Sequence, residues 1–172
     1  MIPDPETNGR LLIALADLIN PKTVKNIFGC DRVFEHAAKA NQSKYPWGQN
    51  VVSIGLFKMI KGRWACMPLN HRFYHLKKEI QKGVPVYNGK PIGFQSKHAQ
   101  AVSMITNVAA EFSDANILVV ADSWFGNNCM WEPLHKGLGR QIHMISRPRS
   151  NNNLFFVQPK METKIKPGRP RI

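Results

Sequence analysis

The stretch Ile117-Leu118-Val119-Val120-Ala121-Asp122-Ser123-Trp124-Phe125-Gly126 is an unbroken apolar run that ends on a carboxylate. Such a run predicts a strand buried on both faces, as in a parallel sheet. An acid at the end of that strand is presented at the rim of a core, where metals and substrates reach it. Asp122 is therefore the first candidate for chemistry.

Upstream, Leu11-Leu12-Ile13-Ala14-Leu15-Ala16 is a second apolar run that ends on a carboxylate, Asp17. Leu and Ala also suit a helix, and Asn20-Pro21 would end either element; we read a strand. Residues 20–50 are turn-rich and read as a long loop, in which Tyr45 and Trp47 either stack on a base or, the favoured reading, pack over the sheet edge. Asn50 to Lys58, the turn at Gly62 and Arg63 to Leu69 predict a hairpin whose second strand continues to His75. His71 and His75 share a parity, but no third ligand stands at a zinc-like spacing, so a polar strand face is favoured.

Gly83 to Gly93 is a Pro- and Gly-punctuated connection. Ser96 then caps a helix from Lys97 to Phe112, with Ala101, Ile105, Val108 and Phe112 on its apolar stripe. After Asp122 a short helix is expected to begin near Glu132, because Pro133 fits only a first turn, and to stop at Gly137 or Gly139, with Trp131, Leu134 and Leu138 on one face. Gln141 to Ser146 makes a fifth strand, after which Arg147-Pro148-Arg149 turns the chain outward.

The order strand, strand, strand, helix, strand, short helix, strand predicts an α/β, ribonuclease H-like mixed five-stranded sheet with flanking helices. In that arrangement the first and fourth strands are neighbours, which brings Asp17 and Asp122 side by side. Two such carboxylates form a hard oxygen site suited to Mg2+ or Mn2+, the ions of two-metal phosphoryl transfer. That chemistry usually needs one further acid.

The chain carries 24 Lys and Arg against 11 Asp and Glu, a formal charge of +13 over 172 residues. Such an imbalance points to a polyanionic partner, most simply DNA. From Lys136 onward the basic residues are Lys136, Arg140, Arg147, Arg149, Lys160, Lys164, Lys166, Arg169 and Arg171, with Glu162 the only acid. Arg147 and Arg149, leaving a strand of the Asp122 sheet, are the best phosphate contacts; Lys136, Arg140, Lys166, Arg169 and Arg171 are further candidates. Pro167-Gly168-Arg169-Pro170-Arg171 is similar to an AT-hook core, although a solvated linker is the favoured reading.

Cys30, Cys66 and Cys129 are odd in number and far apart, and read as reduced thiols. No signal peptide is recognisable and no run approaches the roughly 20 apolar residues of a membrane span, so no membrane partner is expected and the cytoplasm is the default compartment.

The runs Ile27-Phe28-Gly29-Cys30, His36-Ala37-Ala38-Lys39, Asn41-Gln42-Ser43-Lys44-Tyr45-Pro46-Trp47-Gly48-Gln49 and Ala121-Asp122-Ser123-Trp124-Phe125-Gly126-Asn127 together resemble the catalytic core of DDE transposases of bacterial insertion sequences. The resemblance extends over nearly the whole chain from about Leu11. It implies a ribonuclease H-like fold and metal-dependent DNA cleavage and strand transfer at element ends, with Asp17 and Asp122 as the first two catalytic acids. Related enzymes often carry two consecutive acids followed by Ser or Thr at the first position, where this chain has Ala16-Asp17-Leu18. Their third acid is a glutamate on a later helix beyond an inserted β-rich segment; Glu162, in a Lys- and Pro-rich tail, is not assigned that role.

The resulting expectation is a transposase core over residues 1–153, with 154–172 as a basic tail at the start of an interrupted insertion. The core would be truncated at both ends, inactive alone, and open to completion by another transposase chain. The rival readings are a non-catalytic DNA-binding fragment and another nuclease of the same fold.

Overall fold

The computed structural model describes residues 4–24, 27, 29–35, 38–83, 86–87 and 89–148. Along the chain these form β1 (Arg10–Pro21), β2 (Cys30–Arg32), β3 (Trp47–Ile60), β4 (Arg63–Tyr74), α1 (Lys77–Lys82), β5 (Val86–Tyr87), β6 (Lys90–Pro91), α2 (Lys97–Glu111), β7 (Asn116–Ala121), α3 (Asn128–Leu138), a 3-10 turn (Gly139–Gln141) and β8 (Ile142–Ser146). The long strands lie in the order β4-β3-β1-β7-β8. β1 is antiparallel to β3 and parallel to β7, and β8 is parallel to β7. This is the mixed α/β sheet expected, consistent with a ribonuclease H-like arrangement.

The β3–β4 hairpin closes on Lys61 and Gly62, with φ of 49° and 75°. Two consecutive left-handed residues make the turn whose twist matches that of the flanking strands, and Gly62 takes this conformation without a Cβ penalty. A register shift between Ile54 and Gly55 offsets the two halves of the ladder. β4 ends at Tyr74, so His75 lies past the strand, while His71 stands exposed on it. The two do not form a pair of strand-face ligands.

Several boundaries differ from expectation. β1 does not end at Asp17: its pairing with β3 continues to Pro21 opposite Gly48, so Asp17 is a mid-strand residue opposite Val52. The stretch read as a loop contains β2, which pairs with Trp47–Gln49 on the edge of β3 that β4 also uses, making a sixth strand of the main sheet. Bonds from Val33 N–H to Pro46 O (3.2 Å) and Glu35 N–H to Lys44 O (2.9 Å) extend that arm. Trp47 begins β3 and donates Nε1–H to Val24 O at 3.0 Å, while Tyr45 tilts against Phe34 with centroids 5.3 Å apart. α1 and the small β5–β6 hairpin stand where no element was expected.

α3 starts four residues early. Asn127 Oδ1 accepts from Cys129 N–H at 2.9 Å and caps it, leaving Pro133 inside the helix. The bond that Pro133 cannot donate would have reached Cys129, and both residues are exposed. Met130 and Leu134 are the buried anchors of α3, whereas Trp131 lies outside against His135.

The core occupies one face of the sheet. Leu11, Ile13 and Leu15 of β1, Val52, Ile54 and Leu56 of β3, and Ile117 and Val119 of β7 meet Ala101, Met104, Ile105 and Ala109 of α2 and Met130 and Leu134 of α3. Phe112 of the expected stripe is 38% exposed, and Met104 takes its place in the core. On the opposite face Leu18, Val120 and Ile145 are 50%, 44% and 57% exposed. No helix among the described residues is long and apolar enough to cross a membrane.

After β7, Phe125 is fully buried and Gly126 lies against Ser146 at the end of β8, so close that a Cβ at position 126 would overlap the Ser146 side chain. Gly126→Ala is expected to destabilise the fold by about 1–3 kcal/mol through overpacking. Ser146→Gly in the same chain should recover part of the loss; urea denaturation of the single and double variants checks this, and a neutral Gly126→Ala refutes it.

His75 is partly buried, with Gly29 (φ +73°) packed on it so tightly that a Cβ there would lie 3.0 Å from the ring. Burial pushes the His75 imidazole below its ordinary pKa. Protonation is then easier in the unfolded chain, so this contribution to stability is complete above about pH 6.5 and is lost as the pH falls below that value. Thermal melts of His75→Gln should show a shallower loss of Tm between about pH 7.5 and pH 5.5 than the parent. An unchanged slope would remove His75 as the source.

Candidate active site

β1 and β7 run parallel with Leu15 opposite Ala121. Asp17 stands two residues beyond Leu15, and Asp122 one residue beyond Ala121. Asp122 therefore follows the C-terminal end of β7, and Asp17 stands in β1 just past the last rung that the two neighbouring strands share. The ends of parallel strands, where loops diverge, are where α/β folds commonly assemble ligand sites.

The two acids reach that edge by different routes. Asp17 shares parity with Leu11, Ile13 and Leu15, so its side chain belongs to the core face and is 21% exposed. An unpaired carboxylate there would be costly, and Lys97 Nζ meets it, ion-paired to Oδ2. Asp122 lies past its strand and is exposed. Its Oδ1 accepts from the backbone N–H groups of Trp124 (2.9 Å) and Phe125 (3.3 Å), the turn that an Asp favours after a strand. Among the described residues no donor reaches its other oxygen.

α2 delivers two side chains to this edge. Ser96 Oγ caps the helix by accepting from Ala99 N–H at 3.1 Å, which makes Lys97 and His98 its first two residues. The helix spans about 22 Å and β7 about 20 Å, so a helix that runs back to the start of β7 has its own start level with Asp122. Lys97 turns to Asp17. His98 turns to the Asp122 loop, stacking on Trp124 at 6.0 Å and meeting Phe125 edge-on at 5.6 Å.

Asn127 links that loop to α2 and α3. Its Nδ2 donates to Trp124 O at 2.8 Å and to His98 Nε2 at 3.0 Å, while its Oδ1 caps α3. Because Oδ1 is engaged by Cys129 N–H, the amide orientation is assigned and Nδ2 is the group that faces His98 Nε2. Lys97, His98 and Asn127 escaped the sequence reading as site residues. The recognisable signal was the Ser96 cap, which puts two basic-type side chains at the helix end facing the strand termini.

The basic candidates divide. Ser146 pairs with Ala121, so Arg147 leaves β8 beside Asp122 and is exposed. Lys136 and Arg140, also exposed, lie on the last turn of α3 and the 3-10 turn just before β8 starts. That is the opposite end of the sheet, about 17 Å from the Asp122 level by strand rise. The structure therefore does not bring these two to the acids. Arg149, Lys166, Arg169 and Arg171 lie outside the described residues.

Among the described residues no cluster of three or more His, Cys, Asp or Glu side chains could hold a metal ion. The site instead offers two carboxylates, of which Asp17 already holds a cationic group and Asp122 is exposed. That donor set fits a magnesium-like ion, which is commonly bound through one or two carboxylates with water and phosphate completing its shell.

Comparison with curated proteins returns no match, and comparison with solved structures likewise returns none. The profile of the DDE superfamily endonuclease family matches residues 1–172. With a mixed sheet of the expected order and a profile match over its full length, the chain belongs to the DDE superfamily endonucleases.

Proposed function

We propose that this chain is a DDE transposase catalytic core of insertion-sequence type, acting in metal-dependent DNA cleavage and strand transfer. Family membership supports a nuclease or transposase function with DNA as substrate, in a superfamily that generally uses divalent metals. The observation that carries the finer reading is the β1–β7 register, which supports Asp17 and Asp122 as a pair at one sheet edge.

In this reading Asp17 and Asp122 hold Mg2+ or Mn2+. An ion held there would supply Lewis-acid activation of the attacking oxygen and charge stabilisation of the leaving oxygen in phosphoryl transfer. The chain's own part is to fix both carboxylates: Asp17 through strand parity, and Asp122 through the two N–H groups that hold Oδ1. Arg147 offers a bidentate cation to a backbone phosphate beside Asp122. The His98–Asn127 bond holds the Trp124 loop in place. Arg149 and the basic residues of segment 154–172, taken as a tail distinct from the core, add sequence-independent attraction to DNA.

Two carboxylates are one acid short of the usual set, and no described residue adds a third. Metal binding is therefore expected to be stronger than catalysis, and a second transposase chain is the natural source of a further carboxylate. Titration calorimetry should find Mn2+ binding that is lost in Asp17→Asn and in Asp122→Asn. Nicking of supercoiled plasmid in Mn2+ should be weak and vanish in the same variants. Binding indifferent to Asp122→Asn would sink the proposal and favour a non-catalytic DNA-binding role.

A further inference from the structure

Lys97 is an unusual surface-type residue. Its side chain is only 16% exposed, its Nζ is paired with Asp17 Oδ2, and the same Nζ lies 5.3 Å from the centroid of the Tyr74 ring. A lysine at a helix start normally extends into water. This ammonium instead points inward, between a carboxylate on β1 and an aromatic face on β4. Its place in the chain does not favour it either, because the first turn of α2 carries the partial positive charge of the helix and disfavours a cation. The ion pair is what accounts for the position.

We propose that Lys97 is the resident counter-ion of the metal position: its ammonium neutralises Asp17 while no divalent ion is present, and it is displaced from Oδ2 when the ion loads. The proposal rests on the reading of Asp17 and Asp122 as metal ligands. An ammonium and a divalent ion cannot share that oxygen without strong like-charge repulsion, so loading requires the lysine to leave. The freed side chain stands at the strand edge that also carries Arg147, where a DNA phosphate can take it. Phosphate binding and metal binding then favour one another, since each relieves the other's competition for Lys97. Lys97 is thus a positioning residue that couples metal loading to DNA.

The test compares Mn2+ affinity of the full chain and its variants by calorimetry, without DNA and without any activity readout. Lys97→Met should bind Mn2+ more tightly than the parent, by about three- to tenfold for removal of one partly screened charge. Lys97→Arg, which keeps the charge, should bind no more tightly than the parent. A purely structural lysine predicts the opposite direction, weaker binding on removal. Should Lys97→Met fail to fold, the parent protein still decides: amine labelling of Lys97, read by peptide mass spectrometry, should rise on adding saturating Mn2+, and should already be high in Asp17→Asn.

Unchanged or weaker Mn2+ binding by a folded Lys97→Met, or labelling that Mn2+ leaves unchanged, overturns the counter-ion role while leaving the metal site standing. Absence of Mn2+ binding from both the parent and Lys97→Met overturns the metal site itself, and this role with it.

Discussion

The parallel pairing of β1 with β7 is the constraint on which the site depends. Leu15 opposite Ala121 is the last rung the two strands share, and Asp17 and Asp122 emerge within one or two residues of it. A slip of one residue in β1 would turn Leu11, Ile13 and Leu15 to the opposite face and carry Asp17 with them. The hydrophobic alternation that pins the register therefore also aims the carboxylate. Asp122 has no such guarantee, being past the end of β7, and its direction is set by the N–H groups of Trp124 and Phe125. Buried Phe125 and the close Gly126–Ser146 approach hold that turn against the sheet.

Electrostatics explains why the edge is built with cations around its acids. A polyanion approaching a pair of carboxylates meets repulsion unless positive charge sits between them or beside them. Arg147 and Lys97 supply charge at that edge from the protein, within a chain of net charge +13. A divalent ion answers the same need more compactly. Asp17, largely removed from water, depends on such compensation more than exposed Asp122, and this difference matches the observation that, of these two acids and among the described residues, Asp17 is the one that is ion-paired.

The parts of this arrangement that could be read from sequence are those governed by local pattern. Apolar runs marked β1, β7 and β8, the Gly62 turn marked the β3–β4 hairpin, and the Ser96 cap marked the start of α2. The failures have equally local causes. β1 runs on past Asp17 because backbone pairing with β3 continues where side-chain polarity suggests a stop. β2 is three residues long and has no periodicity to detect. Pro133 outweighed Asn127 in placing the start of α3, although the Asn cap and the buried Met130 determine it. Contacts across the chain were beyond reach: Lys97 lies 80 residues from Asp17, and no pattern in either segment announces the other. Sequence distance also misjudged the basic residues. Lys136 is nearer to Asp122 in sequence than Arg147 is, yet the helix carries it to the far end of the sheet while β8 returns Arg147 to the acids.

Because the core lies on one side of the sheet, the helices that stabilise the fold are also those that furnish the site. α2 buries Ala101, Met104, Ile105 and Ala109 against the strands and presents Lys97 and His98 from its first turn. α3 buries Met130 and Leu134 and begins at Asn127, which bonds His98. A change in the packing of either helix is therefore transmitted to the surroundings of Asp17 or of the Asp122 loop, through a rigid element and over few bonds. The uncovered face, with Leu18, Val120 and Ile145, bears no such link, since side chains there point away from both helices. Substitutions on the two faces of one strand should then separate: those at Ile13 or Val119 act on the site as well as on stability, and those at Ala14 or Val120 act on neither through this route.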